Sequence, residues 1–247
     1  MRSSLFSFLF LTLLMAIGYW VYSGRISVPN EWNPWAPLKL EEPLNWLTRF
    51  KLARASEDGG SCLALLAQTK MRYEPVADRE TGTGCGYRNA VRVEATSARI
   101  GEPFTLSCRS AIALAMWEYH VVQPAAHAYF DASVARLEHF GSYACRNIYG
   151  RKDASLSRHA TADAFDVAGF VLQNGCGGRG QRLMRDGRAS RRIRVERDWG
   201  SSDPDGKFLR EVRDGACRVF DSVLGPEYNA AHRDHFHLDR GGFRACR

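Results

Sequence analysis

The longest apolar stretch of the chain lies at its N-terminus. Residues Leu5 to Tyr22 contain no charged side chain, and as a helix they would span roughly 27 Å, about the thickness of a bilayer's hydrocarbon core. Trp20 and Tyr22 near its end are residue types that favour the membrane interface. A cleaved signal sequence has a shorter apolar run than this one, and it has small residues such as Ala-x-Ala at the cleavage site, which we do not find here. We therefore predict an uncleaved membrane anchor over residues 1–23.

The rest of the chain shows helical and strand-like patterns in irregular order. Apolar positions three and four residues apart predict helices over 62–68, 104–123, 125–137 and 207–224, with Pro124 ending the second of them. Alternating or short apolar runs predict strands over 90–94, 141–148, 164–171 and 235–238, and a hairpin that turns at Asp186-Gly187. Because helices and strands do not alternate regularly, we predict an α+β fold: a small antiparallel sheet flanked by helices.

Between the anchor and this domain lies a segment rich in proline and tryptophan, residues 24–55. Its prolines favour extended backbone, so we interpret it as a linker that holds the main domain, residues 56–247, away from the membrane. Its tryptophans leave open a contact with the domain or with the lipid surface. The single Arg2 ahead of the apolar run weakly favours a cytoplasmic N-terminus, which would leave the domain outside.

The net charge of the chain indicates which classes of binding partner it favours. A net charge of +7 and a pI near 9.2 favour a polyanionic neighbour. The sequence contains no nucleic-acid-binding motif, so we expect an acidic cell-wall polymer or anionic lipid rather than nucleic acid. Residues 175–198 carry eight arginines against three acidic residues. This segment either grips an anionic polymer or forms a solvated basic hairpin, and the sequence leaves both open.

Cysteine usage points to export. The seven cysteines include no Cys-x-x-Cys pair, which argues against a sulfur-rich metal site. We expect disulfides in an oxidising compartment, with buried free thiols as the alternative. The pairs Cys62–Cys85, Cys108–Cys145 and Cys217–Cys246 are our prediction. Cys176 would then be left over, because it lies in the glycine- and arginine-rich segment.

Two distant motifs carry metal-ligand side chains. His159 and Asp166 are seven residues apart, about 10.5 Å along a continuous helix, which is too far for one ion, so a loop or bend that enters a strand is expected. His235 and His237 are two residues apart, which places both on one face of a strand. Two imidazoles and a carboxylate form a three-ligand zinc site with one open position. The alternative is a polar sheet face whose histidines bond to neighbouring carboxylates.

These motifs resemble known families. The pattern Ser157-x-His159-x6-Asp166 followed by His235-x-His237 is similar to the zinc peptidase superfamily of D-alanyl-D-alanine peptidases, murein endopeptidases and the lysostaphin type. The stretch HRDHFH at 232–237 is especially similar to the penicillin-insensitive murein endopeptidases. More broadly, residues 108–247 resemble the bacterial extensin-like C-terminal domain family, through CRSAIALAMWEYHVVQPAA, HFGSYACRNIYGR, SRHATADAFDVAGF and DGACRVFDSVLGPEYNAAHRDHFHLD.

The resemblance implies roles for individual residues. It makes His159, Asp166 and His237 the ligands of a Zn2+ ion. His235 becomes the histidine that does not bind metal and instead stabilises the oxyanion or shuttles a proton. The general base is then His232, with Asp234 as the alternative.

Two departures from the peptidase pattern stand out. Ala162 replaces the glycine that often follows the first histidine at this spacing, and no glutamate lies between Glu227 and His237 to serve as the base of the dipeptidase and carboxypeptidase branches. Asp239 or Asp163 could orient a ligand imidazole.

The expected function is a zinc-dependent peptidase that acts on peptidoglycan peptides, tethered to the inner membrane with its domain in the periplasm. The rivals are a wall-binding module that does not cut and a tethered structural protein without metal.

Overall fold

The computed structural model describes residues 2–173, 182–183 and 189–247, with side chains over 5–173 and 190–247. Its helices are α1 Arg2–Tyr22, α2 Thr48–Ala55, α3 Gly59–Leu66, α4 Cys108–Trp117, α5 Gln123–Phe130, α6 Val195–Asp198 and α7 Pro204–Ala216. Its strands are β1 Arg72–Val76, β2 Arg79–Gly82, β3 Cys85–Tyr87, β4 Ala90–Ala95, β5 Arg99–Ser107, β6 Ser133–Gly141, β7 Ala164–Gln173, β8 Arg182–Leu183, β9 Ala189–Arg194, β10 Ser222–Leu224, β11 Phe236–Asp239 and β12 Ala245–Cys246.

One large sheet organises the domain. Its strands follow the order β1-β4-β5-β6-β7-β11-β10-β12. Strand β9 pairs with the second half of β7, past the residues that pair with β11, and β8 pairs with β9. Most pairs are antiparallel, but β5 with β6 and β10 with β12 are parallel. The prediction of an α+β fold is therefore confirmed. The expectation of a small antiparallel sheet is wrong, because the sheet is mixed and has ten strands among the described residues.

Three of the strands that we did not predict lie partly or wholly in segments that we predicted as helix. Residues 104–107 end β5, 133–137 begin β6, and 222–224 form β10. In β6 the buried Val134 and Leu137 are three residues apart because the register shifts between Val134 and Arg136. A β-bulge of this kind turns the two-residue period of a strand into a three-residue spacing that resembles a helix. The predicted strand at 141–148 is also wrong, since β6 ends at Gly141 and only an isolated bridge at Asn147 follows it.

Helix α4 lies in the centre of the core, with eight of its ten residues buried. Trp117 packs against Phe170 of β7 and against Phe220. We expected Pro124 to end the helical region, but it does not. A π-helical turn over Glu118–Val122 precedes it, and Pro124 falls in the first turn of α5. A proline is tolerated there because the first-turn N–H groups need no intrahelical acceptor.

Three disulfides form among the described residues, and two differ from our prediction. The bonds are Cys62–Cys108, Cys85–Cys145 and Cys217–Cys246. Only the last was predicted; the other four cysteines exchange partners because α3 packs against α4, which brings Cys62 to the first residue of α4. Cys176, which we expected to remain unpaired, lies outside the described residues.

The segment predicted as a linker is folded over its second half. Leu40, Leu44 and Leu52 belong to the hydrophobic core, and Lys51 is buried beside them. Apolar side chains at these positions gain free energy by leaving water, so this part of the chain packs on the domain instead of extending as a stalk. Ahead of it, Leu5–Tyr22 is long and apolar enough for a membrane span, a property that signal sequences share.

The basic segment is described only in part. The predicted turn at Asp186-Gly187 lies outside the described residues, although β8 and β9 pair antiparallel as a hairpin would. The four arginines of the segment whose side chains are described form ion pairs with acidic residues: Arg191 with Asp205, Arg192 and Arg194 with Glu138, and Arg197 with Asp198. This part of the segment therefore fits a solvated, internally neutralised hairpin better than an open anion grip.

Candidate functional site: a buried histidine–aspartate cluster

Two neighbouring strands bring the two motifs together. In the antiparallel pair of β7 and β11, His237 lies directly opposite Asp166, so their side chains share one face of the sheet. His159 lies in a 3-10 turn, Arg158–Thr161, just ahead of β7. Ala162 then reverses the chain with a left-handed backbone (φ 55°). The bend into a strand that the seven-residue spacing predicted is present.

Ala162 ends the turn with a left-handed backbone. A glycine adopts positive φ without steric cost, whereas alanine does so with some strain. The Ala162 carbonyl accepts a hydrogen bond from the Ser107 N–H at 2.7 Å. This bond ties the turn that carries His159 to the residue ahead of α4.

Three side chains converge at the end of this turn. His159 Nε2 lies 3.1 Å from His237 Nδ1 and 3.1 Å from Asp166 Oδ2, and His237 Nδ1 lies 3.0 Å from Asp166 Oδ1. All three residues are buried. Four donors at about 2.0–2.2 Å around zinc lie roughly 3.3 Å from one another. These residues therefore fit the spacing of a metal site, and they could hold one divalent ion.

The second nitrogen of each ring fixes its tautomer. His159 Nδ1 lies 2.5 Å from the Ser142 carbonyl oxygen and His237 Nε2 lies 3.3 Å from Asp239 Oδ2. Both oxygens only accept hydrogen bonds, so both of these nitrogens carry hydrogen. In neutral rings, His159 Nε2 and His237 Nδ1 then present lone pairs to each other and to the Asp166 carboxylate. Three acceptors facing one point repel one another unless a cation lies between them.

The pKa values of His237 and Asp166 also indicate that the cluster favours a positive charge. Burial opposes a charged His237 ring, but hydrogen bonds to Asp166 and Asp239 outweigh it and raise its pKa to about 9. Burial also works against the charged form of Asp166, yet hydrogen bonds with His159 and His237 hold its pKa far below the ordinary value. Without a metal, a proton on His237 supplies the cation.

The three residues that we expected to act on substrate surround this cluster. His235 Nε2 lies 3.6 Å from Asp166 Oδ1, and its Nδ1 lies 2.9 Å from Asp234 Oδ1. The His232 ring lies 5.8 Å from that of His237 and 5.3 Å from that of His235, measured between centroids. Burial, followed by the neighbouring His237 and His235, lowers the pKa of His232 to about 4. His232 is therefore neutral at pH 7.

Sequence reasoning missed the residues that orient His232. Its Nδ1–H donates to Asn229 Oδ1 at 2.8 Å, which leaves Nε2 as the unprotonated nitrogen. The Asn229 side-chain amide donates to the Tyr149 hydroxyl at 2.7 Å, and Tyr149 itself has a left-handed backbone (φ 55°). Asn229 also caps the 3-10 turn Ala230–His232. An asparagine ahead of a short helical turn is a capping signal visible in the sequence, but Tyr149 carries no comparable signal.

Only one of the two aspartates proposed to support a ligand does so. Asp239 contacts His237, as described above. Asp163 instead accepts hydrogen bonds from the Arg109 guanidinium at 2.5 and 2.7 Å and from the Ser107 hydroxyl at 2.6 Å. Its role is to anchor the turn to the start of α4, and it makes no contact with His159 in the described contacts.

The fold and the cluster define an α+β protein with a buried pair of histidines and a carboxylate on adjacent strands of a mixed sheet. The family model described as "Extensin-like protein C-terminus" matches residues 60–247, and the chain belongs to this family. Comparisons with curated proteins and with solved structures find no significant match.

Proposed function

We propose that the protein is a zinc-dependent peptidase that cleaves peptide bonds of peptidoglycan in the cell envelope. The observation that carries the proposal is the set of three mutually facing acceptors on His159, Asp166 and His237, each oriented by a further hydrogen bond or by the neighbouring strand. Two imidazoles and one carboxylate leave a position open for water or substrate, which is typical of catalytic rather than structural zinc.

Bound at these three residues, zinc would polarise a substrate carbonyl and make water more acidic. His232 Nε2 is unprotonated and accepts the proton of the attacking water. Asn229 holds the His232 ring in this tautomer. Asp234 accepts from His235 Nδ1–H, which leaves His235 Nε2 free to take up and pass on a proton during the reaction. Because Asp234 is engaged with His235, His232 is the better choice for the base.

The substrate and location follow from charge and from the N-terminal helix. A net charge of +7 favours an acidic polymer such as the cell wall over a neutral one. The apolar helix Leu5–Tyr22, if retained, would anchor the chain in the inner membrane with the domain in the periplasm. The disulfides agree with an oxidising compartment of this kind.

Metal analysis combined with wall digestion tests the proposal. We expect the purified chain to contain about one zinc ion and to release soluble peptides from isolated sacculi. His159→Ala should lose both the metal and the product, whereas His127→Ala, a change at an exposed histidine remote from the cluster, should retain both. Full cleavage by the His159 variant would refute the proposal.

One observation favours a second function, a wall-binding module that retains the metal without cutting. The stretch between Glu227 and His237 contains no glutamate base, and the pKa of about 4 makes His232 a weak proton acceptor. This module would bind zinc and retain wall polymer but yield no soluble product. The same digestion assay therefore separates the two functions.

A further inference from the structure

The tryptophans of the chain are unevenly distributed. Trp117 and Trp199 are buried in the domain, but three others lie close together in sequence and face solvent. Their exposed fractions are 50% for Trp32, 73% for Trp35 and 76% for Trp46. Tryptophan is rarely left so exposed on a soluble protein, and a cluster of large exposed apolar side chains marks an interaction surface.

The segment that carries these tryptophans is folded and held by hydrogen bonds. The Asn30 side-chain amide donates to both oxygens of Glu42, and Lys51 Nζ donates to the Asn30 carbonyl at 2.8 Å. The Asn45 amide donates to the Glu31 carbonyl at 2.7 Å. These contacts tie residues 30–31 to residues 42–51, so Trp32 and Trp46 are presented from one folded base.

A second set of contacts lies in the same segment. The Trp35 and Phe50 rings meet edge to face at 6.2 Å, and the Arg54 guanidinium lies over both, at 5.2 and 5.8 Å from their centroids. Arg54 Nη1 also donates to the Pro34 carbonyl at 2.8 Å. Phe50 is itself 43% exposed. We refer to Trp32, Trp35, Trp46 and Phe50 as the tryptophan platform.

We propose that the tryptophan platform docks the domain on the interface of the lipid bilayer that holds α1. The chain itself identifies the partner: Trp32 follows Tyr22 by ten residues, a reach of at most about 35 Å. Tryptophan favours the headgroup level, where its ring is apolar and its N–H is hydrated. A helix and a platform attached to the same bilayer would limit the distance that the domain can move from the membrane. The inference rests on the retained membrane anchor of the proposed function and is independent of its zinc chemistry.

Tryptophan fluorescence tests this directly. The full chain carrying Trp20→Phe, which removes the emission of the membrane helix, is reconstituted into vesicles whose lipids are brominated on the acyl chains. Bromine quenches only tryptophans that contact lipid. Of the five remaining tryptophans, we expect the three on the platform to be quenched, while the buried Trp117 and Trp199 keep their emission and provide the baseline.

Variants and single-copy nanodiscs complete the test. Replacing all three platform tryptophans by serine should remove the quenching, whereas Phe243→Ser, a change at a 67% exposed ring outside the platform, should leave it unchanged. If the triple variant does not fold by circular dichroism, Trp46→Ser alone should reduce the quenching. Unquenched emission in the Trp20→Phe chain would overturn the proposal. If that unquenched emission also shifts to longer wavelength in nanodiscs holding one chain each, where the platform would face water, the platform belongs to a contact with a second copy of the chain.

Discussion

At the scale of single residues, the cluster is governed by hydrogen bonds to the ring nitrogens that point away from its centre. The Ser142 carbonyl and Asp239 fix the tautomers of His159 and His237, the two proposed metal ligands, and Asn229 fixes that of His232. Such outer partners set ring orientation and basicity, and their loss commonly reduces metal affinity or activity about 10- to 100-fold. The Asn229 contact is the one that acts on the proposed base alone.

Replacing Asn229 therefore tests the role of His232. In Asn229→Ala the ring loses its acceptor at Nδ1, so the unprotonated nitrogen is no longer held at Nε2, and we expect kcat to fall about 10- to 100-fold with zinc content unchanged. Asn229→Asp should restore activity, because a carboxylate also accepts from Nδ1. It would also raise the pKa of His232 and shift the acidic limb of the pH–rate profile to higher pH. An unshifted profile in Asn229→Asp would argue against His232 as the base.

A buried carboxyl outside the site gives a second prediction at this scale. Burial raises the pKa of Glu118, although hydrogen bonds from Thr96 and Ser97 act in the opposite direction. The folded chain holds this proton to higher pH than the unfolded chain does, so stability is lost as pH rises from the ordinary value through the raised one. Glu118→Gln should flatten this part of the curve in urea unfolding across pH 4–8. Glu57→Gln, at an exposed position, should leave it unchanged, and an unaltered curve in Glu118→Gln would contradict the prediction.

At the scale of elements, the β2–β3 hairpin and the segment after β6 hold His159 from one side. Cys85 in β3 is bonded to Cys145, and the neighbouring Ser142 and Ala144 contact His159 through a carbonyl and an N–H. The disulfide therefore connects the hairpin to the backbone that orients a proposed metal ligand.

Removing this disulfide should affect stability and metal binding together. The bond closes a loop of 60 residues, so the double change Cys85→Ser and Cys145→Ser should cost about 3–4 kcal/mol of unfolding free energy. Zinc affinity should fall as well, because Ser142 is less firmly held. The matched control is the pair Cys217→Ser and Cys246→Ser, which should destabilise the chain with a smaller effect on zinc affinity. Equal affinity losses in both pairs would refute a specific role for Cys85–Cys145.

The elements also show what sequence could and could not predict. The spacing of His159 and Asp166 indicated a bend into a strand, and the two-residue spacing of His235 and His237 indicated a shared face, because both conclusions follow from local backbone geometry. The strand start at Val134 was missed because a bulge imitates helical spacing. The disulfide partners were missed because they depend on how α3 packs on α4, which no local pattern encodes.

At the scale of the whole molecule, the negative charge of the cluster has to be balanced by a bound cation. Asp166 and Asp239 both face His237 within a buried region. A cation is needed there in every state of the folded protein, whether a proton or a metal ion. Binding of the proposed metal is therefore expected to be linked to proton binding and to folding.

This linkage makes two predictions, one for the stability of the metal-free chain against pH and one for the protons released when zinc binds. The pKa of His237 rises from 6.5 to about 9 in the metal-free fold, so its contribution to stability is complete below pH 6.5 and is lost as pH rises through 9. Metal-free chain should therefore become less stable between pH 6.5 and 9 in urea unfolding. Zinc requires neutral His237, so binding at pH 7 should release about one proton, measured by calorimetry in buffers of different ionisation enthalpy. Asp239→Asn weakens the hold on that proton and should reduce the release. Zinc binding that releases no proton at pH 7 would show that the ion does not bind at His237, and the proposed site would have to be abandoned.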